Sequence, residues 1–134
     1  MRSRRFQAFA LDALKNTPGV TQVQTLADAG DTKIPNGLAV TADGKESRWQ
    51  IVGQLADGER HEHDEQPQQG TPATWAEPTP GDNAEGWFAA AIGRAESPEI
   101  ERIERWSARD GERPDNQGVT VFFHNGARAF VRKL

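Results

Sequence analysis

Apolar residues recur every three or four positions in two stretches of the chain and alternate with polar residues in several others, and these two periods divide it into elements. Phe6, Phe9, Ala10, Ala13 and Leu14 share one helical face. They predict a helix over about Ser3–Asn16 that stops at Thr17-Pro18-Gly19, where Pro18 has no amide hydrogen and disfavours helix for Thr17. Ala84, Trp87, Phe88, Ala91, Ile92 and Ala95 keep the same period, which predicts a second helix over Asn83–Ala95. Asp82 or Asn83 is its expected cap, with Glu85 at capping-box spacing from Asp82. Both apolar stripes are read as core.

Alternation predicts strands. Val20–Thr25 is one, and a polar loop to Asn36 leads into GLAVTA, Asp43-Gly44 and KESRWQIVGQL. Asp-Gly between two alternating runs marks a two-residue hairpin turn, which needs positive φ at both central positions. That register sets Leu38 opposite Trp49, Val40 opposite Ser47 and Ala42 opposite Lys45. Asp57-Gly58 turns the chain again, into Glu59–His63, a segment without an apolar face that reads as an edge strand or a loop. Later, Gly118–Phe123 and Arg128–Lys133 are expected to pair through Asn125-Gly126 as a second two-residue turn. On that register Val119, Val121, Phe123 and Phe130 share one face, and Phe122, Ala129 and Val131 the other. Both faces are then apolar, so this hairpin is either covered on two sides or meets another chain.

Ser97–Trp106 is ambiguous by itself, since Ser97 and Pro98 would also start a helix. The first half arbitrates. Thr17–Leu26 matches Ser97–Trp106 position for position, pairing Pro18 with Pro98, Val20 with Ile100, Val23 with Ile103 and Leu26 with Trp106. The match continues with GLAVTADG against GVTVFFHNG and SRWQIV against ARAFVR, so Glu101–Ala108 is read as a strand. The expected fold is α+β: two pseudo-equivalent α-β-β-β units, 1–63 and 83–134, share one antiparallel sheet with two helices packed on one face. A Pro-rich connector, 64–82, joins them within a single domain 1–134, because neither half buries enough surface alone. Pro67, Pro72, Pro78 and Pro80 keep the connector extended, and Trp75 is expected to dock it on the body.

Composition then narrows function. Of the 134 residues none is cysteine, which removes disulfides, thiolate catalysis and cysteine-based metal sites. The formal net charge of -4 disfavours a general nucleic-acid binder. The basic and then apolar N-terminal stretch fails as a targeting signal, since Gln7 and Asp12 interrupt it and no small-residue cleavage site follows. No run is long enough to cross a bilayer, so a cytoplasmic protein without membrane contact is expected.

Candidate chemistry is sparse, and no cofactor is expected. His61 and His63 would project to one side of an extended segment, with Asp64 beside them, a weak divalent-metal candidate set within a solvated acidic loop. A metal-dependent enzyme using this region is the third reading. No Gly-x-Ser-x-Gly elbow is present, and Gly44-Lys45 lacks the rest of a phosphate loop. Arg4 and Arg5 occupy the wrong end of the first helix for cations, which suits either a fraying terminus or an anionic partner. Together with Arg128 and Arg132 they would form a basic patch if the termini lie side by side, and with Phe122 on the sheet this supports nucleic-acid binding as the second reading. The leading reading is a non-catalytic protein-interaction or assembly module that binds a partner or itself through Phe122, Ala129, Val131 and Trp75. An adaptor, an inhibitor or a small subunit of a larger assembly, such as a phage-type particle, all fit.

Overall fold

A computed structural model describes residues 1–134 as α1 (Ser3–Lys15), β1 (Val20–Thr25), β2 (Gly37–Ala42), β3 (Lys45–Gln54), α2 (Ala84–Arg94), β4 (Ile100–Arg105), β5 (Gly118–Phe123) and β6 (Arg128–Lys133). A single 3-10 turn follows β4 at Trp106–Ala108. The six strands form one antiparallel sheet in the order β1-β2-β3-β6-β5-β4, and the two helices make this an α+β fold. The sheet is thus two three-stranded blocks that meet at its centre through β3 and β6.

The helices form where the apolar period predicted them, because each has one stripe to bury. Phe6, Ala10 and Leu14 of α1 are buried one turn apart, and Phe88, Ala91 and Ile92 of α2 join them in the same core. That core crosses between the halves. Phe6 meets Phe123 edge-on at 6.1 Å, and Phe88 meets Trp49 at 4.9 Å, so each helix contributes an aromatic ring to a strand of the other block. Asn83 caps α2, its side-chain oxygen accepting the Gly86 N–H at 3.0 Å. Asp82 and Glu85 form no capping box; both face Arg105 instead.

In the first hairpin the expected register holds, with Leu38 opposite Trp49, Val40 opposite Ser47 and Ala42 opposite Lys45. Asp43 and Gly44 both take positive φ, 52° and 73°, as a two-residue turn requires. The second hairpin differs. Phe123 donates its N–H to Ala127 O, and Gly126, at φ 91°, donates to Phe123 O, so the loop has three residues, His124–Gly126. Only Gly126 is left-handed, the arrangement of a turn closed by a glycine bulge. One extra loop residue slips the register by one, which turns every side chain on one strand to the opposite face. Val119 therefore pairs with Val131 and Val121 with Ala129, and all four are fully buried on the helix side. The expected outer position of Ala129 and Val131 is corrected accordingly: Phe122 shares the outer face with Phe130, Arg128 and Arg132.

Two further devices shape that outer face. Gly118 lies beneath the Trp106 ring and Gly37 beneath Leu26, and a Cβ at either position would overlap the covering side chain. Trp106 Nε1 donates to Thr120 Oγ1 at 2.8 Å, which explains how a threonine becomes 98% buried on the solvent side of a sheet.

Residues 55–83 contain turns but no helix or strand. Glu59–His63 is a turn and not an edge strand, so the alternation that would set His61 and His63 on one side does not apply. The segment is fastened along its length. Arg2 donates to Glu59 and to the carbonyls of Arg60 and His63, and Glu65 accepts from the Arg2 N–H and from Arg5. Farther on, Thr71 O lies 2.8 Å from His124 Nε2, and Trp75 packs on Gly93 of α2 with the Arg94 guanidinium 5.2 Å from its ring centre. The dock for Trp75 is therefore the helix layer. The strap does not take the sheet's outer face, where Val52 remains 49% exposed.

Candidate interaction face

The outer face follows from strand parity. Gln50, Val52 and Gln54 of β3 stand beside Arg132, Phe130 and Arg128 of β6, which stand beside Gly118, Thr120 and Phe122 of β5, with Arg102 and Glu104 of β4 beyond. Val52 and Phe130 are direct cross-strand neighbours and form an apolar centre. Phe122 is half-buried between two guanidiniums, with Arg102 3.9 Å and Arg128 4.9 Å from its ring centre. Such contacts hold the arginine planes against the sheet and leave their N–H edges outward.

The charges on this face are unbalanced. Arg48 pairs with Glu46 at 2.9 Å, while Arg102 and Arg109 share Glu104 at 3.5 and 2.7 Å. The Arg109 hydrogen bond, helped by both positive charges and opposed by partial burial, holds the Glu104 carboxyl below its ordinary range. Arg128 and Arg132 are exposed and have no carboxylate partner. A chain with a net charge of -4 thus carries a local positive excess on the one broad surface that helices and strap leave open.

Arg2 and Arg5 are engaged within the fold. Arg5 binds Glu65 and Glu99, and Met1's amino group lies 3.6 Å from Glu65. Burial alone would raise the Glu65 carboxyl, but hydrogen bonds from Arg5 and the Arg2 N–H hold it below its usual value. Arg4 is exposed on α1, on the helix side of the sheet. The expected patch of Arg4 and Arg5 with Arg128 and Arg132 does not form, because the helix layer and the outer face lie on opposite sides. Of the two misplaced cations of α1, Arg5 has carboxylate partners within the fold, Glu65 and Glu99, and Arg4 has none. No three His, Asp or Glu side chains converge to hold a metal, and His61 and His63 are exposed on their turn, with Asp64 exposed beside them.

Glu85 is the feature that sequence reasoning missed. It is fully buried and accepts four hydrogen bonds: Arg105 Nε at 2.9 Å, Ser107 Oγ at 2.6 Å, and the Ser107 and Gly118 N–H groups at 3.0 Å each. Arg105 also grips Asp82 through both terminal nitrogens, at 3.2 and 3.0 Å. The knot ties the start of α2 to the β4–β5 loop and so holds Trp106 over the outer face. Glu85 stands three residues before Phe88 and seven before Ile92, on the buried stripe, but its reading as a capping-box partner of Asp82 gave no sign of this role. No helix is long and apolar enough to cross a membrane. The chain matches no protein-family model, no curated protein and no solved structure.

Proposed function

We propose that this protein is a non-catalytic binding module of the cytoplasm whose working surface is the outer sheet face, and that its partner is a protein presenting acidic side chains around an apolar contact. The observation that carries this reading is the pairing of an open Val52–Phe130 centre with the unpartnered guanidiniums of Arg128 and Arg132. Arginine and aromatic side chains around a partly apolar centre are the chemistry that concentrates binding energy in protein interfaces. Stacking two copies through this face would oppose arginine to arginine, so the partner is a different, acidic molecule, consistent with an adaptor, an inhibitor or an assembly subunit. Ala129 and Val131 contribute by packing the sheet from beneath, and Trp75 by fixing the strap elsewhere.

The test is capture from the source cell with wild-type protein and with Phe130→Ser and Arg128→Glu variants. An acidic protein should be retained by the wild type, with affinity at least about tenfold lower for each variant and falling with salt. Capture indifferent to both variants refutes the assignment. A second reading, single-stranded nucleic acid, is favoured by Phe122 and Phe130 standing on adjacent central strands among arginines. Binding of a labelled oligonucleotide at two salt concentrations, lost in the Arg128→Glu variant, distinguishes it.

A further inference from the structure

On the helix side the apolar surface stops short of one end of the sheet. The inner positions of β3 run Ile51, Trp49, Ser47, Lys45, those of β6 end on Lys133, and Gln117 precedes β5 at the same parity. Trp49 and Lys133 are direct cross-strand partners, and the Lys133 N–H donates to Gln117 O at 3.2 Å. Opposite this polar end lies the start of α2 with Ala84, Trp87 and Phe88, and between them is a cavity of about 280 Å³.

The cavity has unmet chemistry of a definite kind. Gln117 Oε1 is buried without a donor, which is costly unless something supplies one. Lys45 and Lys133 are cations on a core-facing row, and neither has a carboxylate partner. Ser47 Oγ accepts the Trp49 Nε1–H at 2.9 Å, which leaves its own hydroxyl hydrogen free to donate. Of the acids at the mouth, Glu46 is held by Arg48 and Asp82 by Arg105, and only Asp43 at the hairpin turn is unengaged. The Trp49–Phe88 contact, each ring 1% exposed, closes the floor, and Trp87 is the partly exposed ring that lines the open space. At about 280 Å³ the cavity falls just below the range of about 300 to 1,000 Å³ usual for ligand pockets, so nothing larger than one or two fused rings fits it.

We propose that this cavity binds a small planar organic anion of the aromatic carboxylate class. The ring lies against Trp87, over the floor closed by Trp49 and Phe88, the carboxylate faces Lys45 and Lys133, and a ring N–H or O–H donates toward Gln117 Oε1. The site is on the opposite side of the sheet from the interaction face and stands independently of it.

The four tryptophans make the test internal, because Trp49 and Trp87 line the cavity while Trp75 sits on α2's outer side and Trp106 on the outer sheet face. In the full-length protein labelled with ¹⁵N, indole-3-carboxylate and its neutral isostere indole-3-carboxamide are titrated against the indole N–H resonances. The carboxylate should shift the Trp49 and Trp87 signals saturably and leave Trp75 and Trp106 in place. The carboxamide should bind at least about fivefold more weakly, and Lys133→Gln should weaken only the carboxylate by a similar factor. Unmoved Trp75 and Trp106 signals in the variant confirm that it is folded. No selective shift at about 10 mM, equal shifts of all four indoles, equal affinity for both probes, or indifference to Lys133→Gln overturns the proposal.

Discussion

Replacing Glu85 should destabilise the protein, and in a pH-dependent way. In Glu85→Ala the part-buried Ser107 N–H and the buried Gly118 N–H both lose their acceptor, at roughly 1 to 3 kcal/mol each. The sum, roughly 2 to 6 kcal/mol, is a large part of the 5 to 15 kcal/mol by which domains of this kind are stable. Glu85→Gln is milder. Its amide oxygen can keep both backbone donors and the Ser107 hydroxyl can rotate, so the main loss is the charged bond to Arg105. Arg105 is 32% exposed and water compensates in part, so about 1 to 2 kcal/mol is expected, a fall in Tm of roughly 3 to 10 °C.

The pH dependence sharpens the test. Burial alone would raise the Glu85 carboxyl, but bonds from Ser107, Gly118 and Arg105 bring it below its ordinary 4.5. A depressed folded value means stability that is fully present above the unfolded value and is lost as pH falls through the folded one. The gap between wild type and Glu85→Gln, read by urea unfolding, should therefore be full at pH 7 and close in acid below 4.5. A Gln variant as stable as wild type at pH 7, or a gap that is the same at pH 3, refutes the reasoning.

The hairpin register predicts opposite outcomes for neighbouring residues. Val131→Ser, at a fully buried inner position, should cost about 3 kcal/mol by denaturant unfolding, while Phe130→Ser on the half-exposed outer face should cost about 1; a two-residue turn would reverse the order. At the strap, Gly93→Leu should expel Trp75 from α2 and raise chymotryptic cleavage after Trp75 about tenfold, and unchanged cleavage would show that the dock is not needed to protect the segment.

The sequence by itself determined the elements, because helix and strand periods are local. Helix α1 through Lys15, β1, the first hairpin with its register, β5 and β6 were all legible; the strand expected over Glu101–Ala108 forms as Ile100–Arg105, and its last three residues, Trp106–Ala108, are a 3-10 turn instead. It also contained the ingredients of the outer sheet face, in Phe122, Arg128 and Arg132. What it did not determine was which face they share with what. Asn125-Gly126 is compatible with a two- or a three-residue loop, and only pairing of β5 against its neighbours, with Val119, Val121, Ala129 and Val131 seeking the helices, selects the longer one. One residue of register then moves Phe130 outward and Val131 inward. Long-range charge pairing was equally out of reach: the partners of Arg5 are 60 and 94 residues away, and those of Glu85 lie across a loop. Periodicity is a property of neighbours along the chain, whereas an open basic face and a polar-ended cavity are properties of six strands and two helices assembled, and tertiary structure alone brings them into being.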